Sequence, residues 1–519
     1  MKKHSARFEL HSADRSFSVA YANVAGYNCG YTITTPNGSA IRRIVERDEF
    51  RRNLVTNCAT CFNSSLVDSN AYAFDALARP TTRRTGTTGV SSVDAYFAYN
   101  NRSEVVSAAI GSNLYAHAYD DIGNHVLFSD NLATNTFTHN SLNQLTTAQE
   151  ISAHSAPLRE ISHTLDGGLS SDGFWEYAYD AEDQLLSVTS ADLTNGAIRV
   201  FNSYDYRHRR ISKTVQRLSV TTAPPPSPPV EAYEWNTIEY RTFAYDGWNL
   251  IHETVAAIDG GTTNVSEVQY FWGLDLSDTL QGAGGVGGLL AVSSNDQFYF
   301  PTFDNNGNVT KYLDESGNVV AAYEYDDFGR TISQSGSLAD FFRHRFSTKY
   351  YEDETGLYYY GYRFYAPVWH TWLNRDPLGE EGGDNLCVIC RNNLVIHFDP
   401  LGLEVKIIKH LPGDVPLVGW TKHGVAAETH FHASVPSVNQ IPGERGRIRY
   451  KVILTPPRSM LDVYFVWGLS ADAILTAMMS EQQHIDSFVG YDRAIHHFKA
   501  VVEQIHDCPI EAKKALDKQ

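Results

Sequence analysis

The feature that most constrains this chain is a short pattern that keeps returning: an aromatic residue, then Asp or Asn, then a turn, then an apolar strand. It reads as HAYDDIGNHVLFS, FTHNSLNQLTTA, YAYDAEDQLLSV, FAYDGWNLIHET and YEYDDFGRTIS, among others. Tyr99, Tyr119 and His139 fall at steps of 20 residues, whereas Tyr179 and Tyr204 are 25 apart. Asp120 or Asp326 supplies a side-chain acceptor at the head of a turn, Gly123 or Gly329 accepts a positive φ, and the flanking residues alternate as strands do. One such unit is hairpin-like and has too little apolar area to stand alone. Neighbours must therefore stack into a long curved sheet.

Composition agrees with a mainly β chain: 30 Tyr, 25 Phe and 37 Gly stand against 4 Met. The formal charge of -18 argues against nucleic-acid binding by the repeats, because phosphate contacts need clustered Lys and Arg. The opening residues MKKHSARFELHSADRSF carry basic charge with no apolar run behind it, which predicts neither a signal peptide nor a membrane span. Cys58-Ala-Thr-Cys61 and Cys387-Val-Ile-Cys390 have the spacing of half a zinc site. We read the first pair as a loop dithiol and the second as small buried hydrophobes rather than as ligands. Residues 1–94 read as a degenerate or poorly defined repeat region and 95–340 as clear repeats. Within the latter, 223–229 (APPPSPP) is expected to be an extended linker and Gly282 to Gly288 a loop.

A denser motif comes next. It runs from Asp353-Glu-Thr-Gly356 through Tyr358-Tyr-Tyr-Gly-Tyr-Arg363-Phe-Tyr-Ala-Pro367 to Asn374-Arg375-Asp376-Pro377-Leu-Gly379 and Asp399-Pro-Leu-Gly-Leu403. The repeats resemble the YD repeats of the RHS family, and this motif resembles the family's repeat-associated core, here residues 341–403. The resemblance implies a spiral β-sheet shell, a secreted or cell-surface location, and an intramolecular aspartyl protease that frees the chain behind the final DPxGL. Carried onto this sequence, the catalytic pair is Asp376 and Asp399, and the cut falls between Leu403 and Glu404. Two carboxyls held close cannot both ionise readily, so one activates water while the other keeps a proton. Arg375, next to Asp376, is the expected partner that sets their asymmetry. The sequence departs from the family pattern at Glu380, Cys387, Cys390 and Leu394.

Residues 404–519 form a separate stretch, expected to be a small α+β domain of the variable, effector-like kind. Residues 447–455 and 462–467 read as strands, and 471–506 has apolar residues at helical intervals. Within that helical stretch, Glu481-Gln-Gln-His484 resembles a zincin helix in which Ser480 replaces the first His. Glu481 would be the base, and His484, His496 and Glu503 would ligate zinc; the alternative is that Glu481 and His484 are a polar pair on an amphipathic helix with no metal. The reading that emerges is a polymorphic-toxin-type carrier with a self-cutting core, a released effector and an immunity protein as partner. The competing reading is a surface protein that contacts carbohydrate or another cell without cutting, or a truncated inactive remnant.

Overall fold

The computed structural model describes residues 7–12, 15–24, 27–48, 54–87, 90–150, 158–222, 231–403, 406–407, 447–454 and 459–466. The chain divides into two units, Met1–His410 and Leu411–Gln519. In the first, fourteen strands from Arg7–Ser12 to Arg159–Glu160 pair strictly in sequence order, and fourteen more from Ser162–His163 to Thr331–Ser335 do the same. All of these neighbours are antiparallel, as consecutive hairpins must be. The strands between residues 7 and 87, where the repeat pattern is faint, run into the same sheet as the clear repeats.

The recurring motif explains this meander bond by bond. The Asp120 carboxylate accepts the N–H groups of Ile122 and Asn124 at 3.1 and 2.7 Å, and the Asp120 N–H donates to the Asn124 carbonyl at 3.0 Å. Asp326 does the same with Phe328 and Arg330, at 3.0 and 2.9 Å. The residue closing each turn is left-handed: Gly123 at φ +88° and Gly329 at +85°, but also Asn143, Asp183 and His208. A one-residue bulge accompanies the turn, between Ala118 and Tyr119 and again between Glu324 and Tyr325.

The tyrosine has a separate task. Its hydroxyl donates to a carbonyl of the preceding hairpin: Tyr99 to Pro80 at 2.7 Å, Tyr119 to Val105 at 2.6 Å, Tyr204 to Leu185 at 2.7 Å and Tyr325 to Val309 at 2.8 Å. Each of these repeats is thereby latched to the one before it. One face of the sheets is buried, with Phe97, Phe128, Tyr177, Val188 and Phe303 in a single apolar cluster.

The segment after the last hairpin packs into that cluster. It forms a four-stranded sheet from Tyr350–Tyr351 to Thr371–Trp372 and contributes Tyr358, Tyr365, Trp372 and Leu394. Buried charges fix its seat. Glu352 pairs with Arg210 at 2.6 Å and Lys213 at 2.7 Å, both on the strand Arg210–Thr222. Cys58 and Cys61 lie on the strand Val55–Phe62 and not in the expected loop; Cys58 is buried there and Cys61 half-buried. Cys390 is buried in the apolar cluster. The 223–229 linker lies outside the described residues. In the second unit, Arg447–Leu454 pairs with Ser459–Val466 as an antiparallel hairpin, overlapping the two expected strands. The expected helical stretch 471–506 lies outside the described residues.

Two glycines with the same backbone separate the cost of φ from the cost of contact. A Cβ on Gly38, at φ +85°, would meet nothing within 4 Å, whereas one on Gly329, also at +85°, would come within 2.6 Å of the Phe346 ring. Gly38→Ala is expected to cost roughly 1–2 kcal/mol from the left-handed backbone alone. Gly329→Ala should add about 1–3 kcal/mol of overpacking. Chemical denaturation of the two variants beside the parent measures the difference, and equal losses would refute the packing account.

Candidate active site

The Asp399-Pro-Leu-Gly-Leu403 segment is a turn wound around its own first side chain. Asp399 Oδ1 accepts the N–H groups of Leu401, Gly402 and Leu403 at 3.0, 2.6 and 3.1 Å. Gly402 takes the left-handed backbone at φ +79° that this winding needs. The carbonyls turn outward and are held from three directions. Tyr362 donates its N–H to Leu401 at 3.0 Å, Arg363 Nε donates to Gly402, and Lys349 Nζ donates to Pro400 at 2.5 Å. Lys349 also reaches the Gly284 carbonyl at 3.0 Å. The glycine run expected to be a loop is one, and it packs here: a Cβ on Gly284 would lie 2.2 Å from the Pro400 oxygen.

Arg363 brings the two Asp-Pro elements together. Its Nη2 lies 2.8 Å from Asp376 Oδ2 and 3.6 Å from Asp399 Oδ2, and its Nη1 donates to the Leu386 carbonyl at 3.2 Å. Its guanidinium stacks on Trp372 at 4.3 Å from the ring centre. Asp376 Oδ1 accepts the Leu378 N–H at 2.9 Å. Burial lifts the Asp376 carboxyl above the ordinary carboxylate range; Arg363 pulls it back, and Asp399 adds to the lift. Burial also lowers the Lys349 ammonium to about 8, against the pull of Asp399 and Asp275.

Arg375 does not take the role expected of it. Its side chain is exposed and lies against Gly167, where a Cβ would come within 2.8 Å of its Nε. Neighbouring positions on an extended backbone point apart, so adjacency to Asp376 in sequence is a poor guide to contact. Arg363 is marked in the sequence only as one letter of the aromatic motif, and Lys349 carries no signal at all. Leu403 is half-buried beside the pair. Glu404 lies outside the described residues, as do Glu481, His484, His496 and Glu503 of the expected tail site.

No model of a known protein family matches the chain. It is 29% identical over 305 residues to the tRNA3(Ser)-specific nuclease WapA of Bacillus spizizenii, covering 56% of this chain and 11% of that protein. It is 28% identical over 207 residues to the toxin subunit YenC1 of Yersinia entomophaga, covering 39% of this chain and 20% of that one. The chain thus spans a fifth or less of the length of these relatives. Among solved structures, TcdB2-TccC3 superimposes on 75% of this chain and 21% of its own, with a TM-score of 0.51 at 17% identity, which is a likeness of fold. The latched Tyr-Asp hairpins, the sequential sheets and the paired Asp-Pro core agree with these likenesses, and in sequence and fold the chain resembles RHS/YD-repeat proteins.

Proposed function

We propose that the repeats are a scaffold for a core that cuts its own chain once, between Leu403 and Glu404, and frees the segment behind it. The observation that carries this reading is the shared guanidinium of Arg363, 2.8 Å from Asp376 and 3.6 Å from Asp399, beside a turn in which Asp399 accepts the Leu403 N–H.

In the proposed step Asp399 takes a proton from a water molecule, whose oxygen adds to the Leu403 carbonyl carbon. Asp376 gives its proton to the departing Glu404 nitrogen as the C–N bond breaks. The products are a Leu403 carboxylate and a free amine on Glu404. Arg363 positions both carboxyls, and Asp399 additionally holds the backbone leading to the scissile bond. Relatives named as a nuclease and a toxin subunit support a toxin-type tail, an immunity partner and a secreted or cell-surface setting for this chain as well. They lend nothing to a zinc hydrolase built on Glu481 and His484. Among the described residues, no helix is long and apolar enough to cross a membrane.

The test is mass spectrometry of the purified full chain, in which a fragment beginning at Glu404 should accumulate. Asp399→Asn and Asp376→Asn should each slow its appearance by about 10²–10⁴-fold. Arg363→Gln should slow it too, whereas Arg375→Gln should leave the rate unchanged; a parent chain that stays intact would sink the reading.

A pH series provides a second check. Because the Asp376 pKa is raised, its acid form persists further toward neutrality than that of an ordinary carboxyl near about 4. That form is lost as pH rises through the Asp376 value, so cutting should be faster at about pH 5.5 than at about pH 8.5. A rate that climbs steadily with pH would contradict the role given to Asp376.

A further inference from the structure

Away from the cut site, three imidazoles and a carboxylate meet inside the first unit. His117 lies on the strand Asn113–Tyr119 and His125 opens the strand His125–Ser129. Asp327 sits in the turn between Val319–Tyr325 and Thr331–Ser335, and His370 immediately precedes the strand Thr371–Trp372. The four therefore come from the first sheet, the last hairpin of the second sheet, and the core.

The contacts are close and dry. His117 Nδ1 is 3.1 Å from His125 Nε2, and His125 Nδ1 is 2.8 Å from His370 Nδ1. His117 Nε2 is 2.9 Å from Asp327 Oδ2, with both side chains at 0% exposure. Apart from that contact, neither Asp327 oxygen has a hydrogen-bond partner among the described residues. One nitrogen from each histidine falls within 4.8 Å of the other two. Ligands on a zinc-sized ion at 2.0–2.1 Å lie about 3.3 Å apart when tetrahedral, so the rings need to draw in by roughly an ångström. His370 is held at φ +56°, a conformation rarely adopted without glycine's freedom, and this backbone orients its ring within the cluster.

The surroundings are apolar. The Phe328 ring lies 4.9, 5.4 and 4.5 Å from His117, His125 and His370, and Phe128 lies 4.7 Å from His370. Asp327 Oδ2 beside His117 Nε2 favours a proton on that nitrogen and leaves His117 Nδ1, which faces His125, free to offer its lone pair. A hydrogen-bonded string from His370 to Asp327 is the alternative use of the same ring nitrogens.

From this geometry we infer that His117, His125 and His370 form a structural site for a zinc-class divalent cation that ties the first sheet to the core, with Asp327 orienting His117 from behind. A donor set of three imidazoles suits zinc above the harder cations.

The experiment uses the full chain, stripped with EDTA, reloaded with zinc chloride, desalted and assayed for metal by mass spectrometry. Histidines of the tail contribute their own background, so the reading is a difference. The parent should retain one more zinc per chain than His370→Phe, and one more than His125→Gln. EDTA should lower the melting temperature of the parent by several degrees while leaving that of His125→Gln unmoved. Equal zinc content in parent and variants, or a parent melting temperature indifferent to EDTA and zinc, would overturn the site and leave the hydrogen-bonded string in its place.

Discussion

The hydrogen bond from each repeat tyrosine to the carbonyl of the preceding hairpin is the constraint on which the rest of the structure depends. A long antiparallel meander has a register problem, because a slip of one residue turns a strand's apolar face outward. The Asp-headed turn sets register within a hairpin, as Asp120 and Asp326 do with two N–H groups each. The tyrosine sets it between hairpins, and the two devices sit on consecutive residues. Their periodic placement keeps Phe97, Phe128, Tyr177 and Phe303 on one continuous buried face. Without that face the core has nothing to pack against.

Apolar packing alone would let the core settle in several orientations. Buried charge removes that freedom. Arg210 and Lys213 on the second sheet meet Glu352, and Lys213 also meets Glu354 at 2.7 Å. Nearby, burial works against the Glu253 charge, but Arg241 at 2.6 Å, with Tyr350 and Tyr270, outweighs it and holds the carboxyl down to about 2. Such pairs add little net stability, yet misplacing one partner leaves an unpaired buried charge. They select the single seat from which Arg363 reaches both Asp376 and Asp399.

Legibility in the sequence tracks the range of the interactions. Turn chemistry spans four or five residues, so the Tyr-Asp hairpins and the mainly β fold can be read directly, while the Asp-Pro pair is legible only through a family resemblance. The guanidinium between the carboxyls cannot, because Arg363 lies 13 residues from Asp376 and 36 from Asp399, while the adjacent Arg375 points elsewhere. Lys349 reaches Pro400 and Gly284 across still wider gaps of 51 and 65 residues. The imidazole cluster gathers His117, Asp327 and His370 from three parts of the fold, and nothing local marks any of them. Cys58 and Cys61 mislead for the opposite reason: a familiar spacing suggests a loop, but both residues sit within one strand of the sheet.

The bonds around Asp399 also bear on how often the proposed cut can happen and on the state it leaves behind. All three N–H groups that Asp399 binds, and the carbonyls held by Tyr362, Arg363 and Lys349, belong to residues on the N-terminal side of the Leu403–Glu404 bond. They remain in place after scission, with a new Leu403 carboxylate added beside two others, so the site stays filled by its own product and acts once.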